Sequence, residues 1–376
     1  MGLKLTKLEA NQMQKYEIVR PRFPNLTSFE RRFAAALDSG QVTNGGEYVQ
    51  QLEGKLTEYI GAPTIAFVNG ETALLAMLMA ARINPGDEVI MPAFTFCGTA
   101  AAVSMLGAVP VFAEIDPMTL TLDPQDAESR ITDKTVAILG VDVYGIACDY
   151  NAFTNMTFKH DIWALFDSAP AFGSMVGGQP IGRYGDAQIF SFHATKPFST
   201  MEGGCLSSPS PDFIERATAI RDFGQDYRRQ CVSVGFNGKM MEVAALVGLE
   251  RFKEWNATGY HQKRQYKVGT YRYLLSEIPG VIVINQPADQ WPIWLYCPIL
   301  VNNRDAVLKR LRERGVMARK YYAPCLHQTP AFKRYARGPL PISEEIGQQI
   351  IALPCYSDLT DGEMHTIVKA VQEAME

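Results

Sequence analysis

The chain lacks a dense run of lysine and arginine. Its 36 basic and 40 acidic residues leave a net charge of −4. It therefore has no basic face of the kind that holds nucleic acid or an anionic membrane surface, although a local patch for a small anion is allowed. It also lacks any stretch of about 18 apolar residues, the length a transmembrane helix needs. Its seven cysteines, Cys97, Cys148, Cys205, Cys231, Cys297, Cys325 and Cys355, are odd in number and widely spread, with no C-x-x-C. That argues against a disulfide framework or a zinc site. Free thiols in a reducing compartment, the cytoplasm, fit better. No G-x-G-x-x-G follows an apolar run, so the dinucleotide-binding fingerprint is missing. The first residues have no long apolar core and no small-residue cleavage site, so they do not read as a signal peptide. The Met1-Gly2 start with Thr6 fits a myristoylation pattern, but without a second membrane signal a chance match explains it.

What is present is length and alternation. A chain of 376 residues, 47% hydrophobic, buries a large core without staples. Apolar runs recur at Thr64–Val68, Glu88–Met91, Val109–Ala113, Val136–Val141, Trp163–Asp167, Ala187–Ser191 and Gly204–Ser207. Short apolar runs bounded by Gly, Pro, Asn or Asp predict buried strands of a mostly parallel seven-stranded sheet. The segments between them are long enough for crossover helices, as at Glu71–Arg82 and Thr99–Leu106. After about residue 240 the pattern changes. Helices are expected at Met241–Trp255, His261–Glu277, Arg304–Arg314 and Asp361–Ala374, with strands at Val281–Ile284 and Trp294–Val301. The division is a large α/β domain over 1–240, with an N-terminal arm over 1–40, and a smaller α+β domain over 241–376. The boundary is expected within a continuous helix.

Three motifs carry chemistry. In Ser191-Phe-His-Ala-Thr-Lys196, followed by Glu202-Gly-Gly204, a lysine stands in an irregular loop among aromatic and small residues. A lysine in an apolar pocket loses its charge readily and forms Schiff bases, although most loop lysines are simply solvated. In Ala164-Leu-Phe-Asp167 an apolar strand ends on one carboxylate, where ligands of open α/β sheets bind; alone, an ordinary helix cap explains it as well. In Phe67-Val-Asn-Gly70-Glu71 a strand turns into a helix whose first amides can hold a phosphate; alone, this too is a capped helix. Together they match one cofactor. Pyridoxal phosphate (PLP) needs a lysine for its aldehyde, a carboxylate for its ring nitrogen and an anion cradle.

Further segments extend the match. They are Val42-Thr-Asn-Gly-Gly46, Pro85-Gly-Asp-Glu-Val-Ile-Met-Pro-Ala-Phe-Thr-Phe96, Gly107-Ala-Val-Pro-Val-Phe-Ala-Glu-Ile-Asp116, Ile131-Thr-Asp-Lys-Thr135, Gly235-Phe-Asn-Gly-Lys-Met-Met-Glu242 and Leu353-Pro-Cys-Tyr-Ser-Asp-Leu359. With these the chain resembles the DegT/DnrJ/StrS family of nucleotide-sugar aminotransferases from about Gln41 to its end. The wording around Lys196 resembles the branch acting on dTDP-keto-6-deoxyhexoses. The resemblance implies an aspartate-aminotransferase-type fold (fold type I) and a homodimer with shared sites. It implies PLP held by Lys196 as an internal aldimine, a pyridoxamine phosphate form in turnover, and no metal. It implies that Asp167 pairs with the ring nitrogen and Phe96 stacks on the ring. Gly70, the Glu71 amide, Ala169 and Ser191 complete the cofactor shell, and Asn237 reaches the neighbouring subunit's phosphate. His327 and Tyr322 are candidates for the substrate side. The implied substrates are L-glutamate and a nucleotide-linked keto sugar, aminated at C4 or C3, for surface polysaccharide such as O-antigen or for a glycosylated metabolite.

The chain departs from that family's pattern at four positions, all expected in or beside the cofactor site. Glu71 stands where Thr is usual, and its carboxylate repels a phosphate unless it points away. Pro170 replaces a donor, Asp142 replaces His, and Lys239 replaces Arg with loss of the bidentate fork. The alternatives are a PLP-dependent sugar dehydratase and a non-catalytic regulatory relative. Intact Lys196 and Asp167 favour the aminotransferase.

Overall fold

A computed structural model describes residues 15–257 and 259–376; the Met1-Gly2 pattern lies outside the described residues. The seven apolar runs form one sheet. Its strands are β1 (Thr64–Phe67), β2 (Glu88–Pro92), β3 (Val109–Ala113), β4 (Thr135–Val141) and β5 (Trp163–Asp167), then, after a short ribbon of β6 (Met175–Val176) and β7 (Gln179–Pro180), β8 (Ala187–Ser191) and β9 (Gly204–Ser207). Their order across the sheet is β1-β9-β8-β5-β4-β2-β3. Only β9 runs antiparallel, against both β8 and β1.

The runs read as continuous rather than alternating because both faces are covered. Successive side chains still point to opposite faces. Ile65, Phe67, Val89 and Met91 pack on one side, and Ala66, Ile90, Ile138 and Phe166 on the other. The helices over the large unit are α1 (Leu26–Ser39), α2 (Glu47–Ile60), α3 (Gly70–Ala80), α4 (Cys97–Met105), α5 (Pro124–Ser129), α6 (Tyr150–His160), α7 (Pro211–Arg221) and α8 (Glu242–Ala257). The first face is covered by α3, α4 and α7, and the second by α2, α6 and α8.

The smaller unit follows. It holds α9 (Tyr260–Ser276), β10 (Val281–Val283), β11 (Gln290–Trp291), which joins the β6–β7 ribbon, β12 (Cys297–Val301), α10 (Arg304–Glu313), α11 (Pro341–Gln349), β13 (Ile350–Leu353) and α12 (Asp361–Met375). No helix of the described residues is long and apolar enough to cross a membrane.

Three details differ from the sequence reading. The expected 1–40 arm is helical over Leu26–Ser39. The expected strand at Trp294 begins at Cys297, because Trp294 adopts φ 54° and the Leu295 N–H turns to the Tyr144 carbonyl at 2.9 Å. Helix α8, which follows the expected 240/241 boundary, packs on the large unit. The α8 side chains Ala245, Leu249, Phe252 and Trp255 share a core with Leu52 and Leu56 of α2, so α8 packs with the large unit. It is separate from α9, which starts after Gly259 at φ 58°, and no continuous helix spans the change.

Glu242 locks that arrangement. Helix α2 has Gly46 at its N-cap and no capping side chain of its own. The buried Glu242 carboxylate accepts the N–H groups of Gly46 at 2.8 Å, Tyr48 at 2.8 Å and Val49 at 3.4 Å. Helix N-termini leave such amides without intrahelical partners, and an anion there is favoured. Glu242→Ala is expected to destabilise the chain by about 1–3 kcal/mol in urea unfolding, and Glu242→Gln, which keeps an acceptor, by less. Equal losses would contradict the capping role.

Candidate active site

Three chain segments meet beyond the carboxyl ends of the parallel strands, around a cleft of about 490 Å³. The first is the end of β5. Strand alternation turns Asp167 into the cleft and Ser168 away from it. The Asp167 carboxylate is almost fully buried, and it accepts from Thr99 Oγ1 at 2.8 Å and from the Ala169 N–H at 3.1 Å. Thr95 Oγ1 lies 3.0 Å from Thr99 Oγ1 and extends the chain of bonds. Burial pushes the Asp167 carboxyl up. The Thr99 bond, the Ala169 amide and the Lys196 charge hold it down.

The second segment is the Lys196 loop. It has no regular structure, yet it is pinned. The Lys196 N–H donates to His193 O at 2.8 Å, and the Thr200 N–H to Phe192 O at 2.9 Å. Phe192 and Phe198 are fully buried with ring centroids 5.0 Å apart, packed on Phe172, which lies 5.2 and 4.9 Å away. Two aromatic anchors thus hold a flexible lysine in place. Desolvation lowers Lys196 to about 8, against the raising effect of Asp167. An amine so tuned reaches its neutral, nucleophilic form near neutral pH.

The third segment is the start of α3. Asn69 caps it, accepting the Thr72 N–H at 2.8 Å. A Cβ on Gly70 would stand 2.8 Å from Ser191 Cβ, so only glycine lets the helix start against the end of β8. The free amides that follow form an anion cradle. A lysine, a carboxylate and this cradle in one cleft fit PLP. The groups present could hold its aldehyde, ring nitrogen and phosphate.

Gly70, Glu71, Phe96, Asp167, Ala169, Ser191, Lys196 and Tyr322 all line the cleft. Phe96 is 59% exposed at its mouth, free to meet a planar ligand. Asn237 is exposed on the segment before α8 and does not line this chain's own cleft. His327 does not line it either. It is buried, its Nε2 lies 2.9 Å from Glu344 Oε1, and its ring packs near Phe112, so here it is a packed histidine.

The four departures separate. Glu71 and Pro170 line the cleft. Asp142 and Lys239 do not. Lys239 Nζ pairs with Asp222 at 2.6 Å and lies 4.3 Å from the Phe223 ring centre. Asp142 is fully buried behind the cleft wall. It accepts from the Cys148 N–H at 2.9 Å, Tyr150 Oη at 2.7 Å and Ser168 Oγ at 2.5 Å, and Gln188 Nε2 bonds both hydroxyls at 3.1 Å. It therefore anchors the turn after Asp167 from the far side.

Sequence reasoning missed Thr99, which it placed only as a helix start, and it named only Tyr322 of an aromatic wall that also holds Tyr144, Tyr296 and Tyr321. The rings of Tyr144 and Tyr322 stack at 6.2 Å, and those of Tyr321 and Tyr322 at 5.4 Å. The Tyr144 hydroxyl bonds the Tyr321 carbonyl across the two units. The adjacent tyrosines at 321 and 322 were a visible signal for part of this wall. Its assembly from three distant segments was not visible.

A model of the DegT/DnrJ/EryC1/StrS aminotransferase family matches residues 26–372. The dTDP-4-amino-4,6-dideoxy-D-glucose transaminase of Shigella dysenteriae is 31% identical over 366 residues, 95% of this chain and 98% of that protein. The GDP-perosamine synthase of Caulobacter vibrioides is 31% identical over 365 residues, 94% and 97% of the two. Among solved structures, DesI in the presence of its TDP-sugar product superposes with a TM-score of 0.90 at 30% identity, covering 96% of this chain and 94% of that one.

The Asp142 network gives a signed prediction. Burial raises Asp142 from 3.8 to about 6 despite its hydrogen bonds. The folded state then holds a proton that the unfolded state releases, so this group's contribution to stability falls as pH rises through that window. Asp142→Asn keeps the shape without the charge, and both hydroxyls can turn to suit it. Relative to wild type, it is expected to gain up to about 3 kcal/mol in unfolding free energy between about pH 4 and about pH 7. A difference that stays flat with pH, followed by chemical denaturation, would contradict the assignment.

Proposed function

From a chain that belongs to the DegT/DnrJ/EryC1/StrS aminotransferase family, whose members use PLP, we propose an enzyme that moves an amino group from L-glutamate to a nucleotide-linked keto-6-deoxy sugar. The carrier is dTDP and the amine goes to C4 or C3. The product serves amino-sugar biosynthesis for surface polysaccharide or a glycosylated metabolite. The observation that carries the reading is Lys196 and Asp167 sharing one cleft, each with its pKa displaced by burial and opposed by the other's charge. Two relatives, the Shigella transaminase and DesI, support the dTDP carrier. The Caulobacter relative, named for a GDP sugar, makes GDP the competing carrier.

Each residue has a stated task. Lys196 Nζ would hold the cofactor through its aldehyde, and it is the group placed to take and return a proton at the substrate carbon. Asp167, oriented by Thr99 and the Ala169 amide, would pair with the ring nitrogen and favour its protonated form. The bound cofactor supplies an electron sink for charge that develops on that carbon. The Gly70 and Glu71 amides and the Ser191 hydroxyl would hold the phosphate. Phe96, exposed at the mouth of the cleft, would stack on the ring. The tyrosine wall keeps water from the reacting atoms and leaves the mouth open for the sugar. Asn237, exposed and outside its own cleft, serves the cleft of a second copy in a homodimer.

The test is the visible absorption of the protein loaded with PLP. L-Glutamate is expected to bleach it, a keto sugar on dTDP to restore it, and Lys196→Ala to lack it. Initial rates against both substrates are expected to give the parallel lines of a ping-pong scheme. Absorption unmoved by glutamate, or an obligatory ternary complex, would overturn the proposal.

A further inference from the structure

Glu71 offers the cradle its backbone amide, and its side chain is a second group in the same place. It is the second residue of α3, and its side chain lines the cleft. Its Oε2 lies 2.6 Å from where a Cβ of Gly98 would stand, so the glycine is what admits the carboxyl there. Among the described residues no side-chain hydrogen bond or ion pair holds it, and the carboxyl is available to a ligand.

The charges around it are mostly of its own sign. Asp167 faces it from β5. From the segment between β8 and β9 come Lys196, His193 and Glu202, the last two 3.4 Å apart. Cys97 opens α4, and burial pushes the Tyr296 and Tyr322 hydroxyls of the cleft up. On the α7 side, Arg216 meets α3 only at its far end, bonding the Ala80 carbonyl. An ionised Glu71 would therefore add a negative charge beside Asp167 and beside the helix start read above as the phosphate cradle, with Lys196 the cation in the same cleft. A protonated Glu71 removes the repulsion and offers a donor to an anion.

We propose that the Glu71 side chain is part of the cofactor site and carries a proton whenever the cofactor is held, so that retention of the cofactor weakens as pH rises. The inference rests on the reading of α3 as the phosphate cradle. Burial and the Asp167 charge already push Glu71 up to about 7, and a phosphate beside it acts in the same direction. Binding then takes up a proton. Affinity is constant where free Glu71 is protonated and falls where it is ionised.

The experiment measures PLP dissociation constants by visible absorption and equilibrium dialysis for wild type, Glu71→Gln and Glu71→Thr. The wild-type constant is expected to rise relative to either variant by roughly tenfold or more between about pH 6 and about pH 8.5. Every other titration that affects binding is common to all three proteins and cancels in the ratio. A ratio independent of pH overturns the role of Glu71 while leaving the cofactor reading intact. Wild type that acquires no absorption beyond Lys196→Ala at any pH overturns that reading, and this proposal with it.

Discussion

A cation and an anion removed from water at the same edge of the sheet constrain everything around them. Desolvation alone would neutralise both Lys196 and Asp167. Each is partly held in its charged form by the other. Such a pair is costly to bury, and it survives only where geometry and additional hydrogen bonds compensate. The two bonds that Asp167 accepts, and the aromatic anchors on either side of the Lys196 loop, are that compensation. The benefit is chemical rather than structural: a lysine near 8 and a carboxylate with a fixed partner suit a site that must gain and lose protons near neutrality.

The sheet accounts for why the pair can be placed so closely. In a parallel sheet all carboxyl ends open on one side, and the strand order brings β5 beside β8. Asp167 ends one strand, and the Lys196 loop leaves the other. The buried Asp142 network fixes the turn between cleft and core from behind, through Ser168. It is a fully hydrogen-bonded polar cluster, the form in which a buried charge is tolerated. Its cost is carried as a raised carboxyl rather than as an unpaired one.

The smaller unit contributes Tyr296, Tyr321 and Tyr322 of the tyrosine wall, and the Tyr321 carbonyl accepts from Tyr144 of the large unit. Helix α8 belongs to the packing of the large unit because Glu242 caps α2 and Phe252 and Trp255 enter the aromatic core beneath Lys196. The loop that holds the lysine is thus supported by a helix more than fifty residues later in the chain.

Local pattern alone determined the seven strands, most crossover helices and the three chemical motifs, since strand runs, caps and a lysine among aromatics are written in neighbouring residues. It placed Gly70, Asp167 and Lys196 where the cleft has them. It did not determine the direction of the Glu71 side chain, the partners of Asp142 and Lys239, the burial of His327, or the place of α8. Those follow from which distant segments pack together: Gly98 leaves room for Glu71, Ser168 and Tyr150 close on Asp142, Glu344 takes His327, and α2 takes α8. One-dimensional periodicity carries the face a residue occupies. Its neighbour across that face is chosen only when the whole core closes.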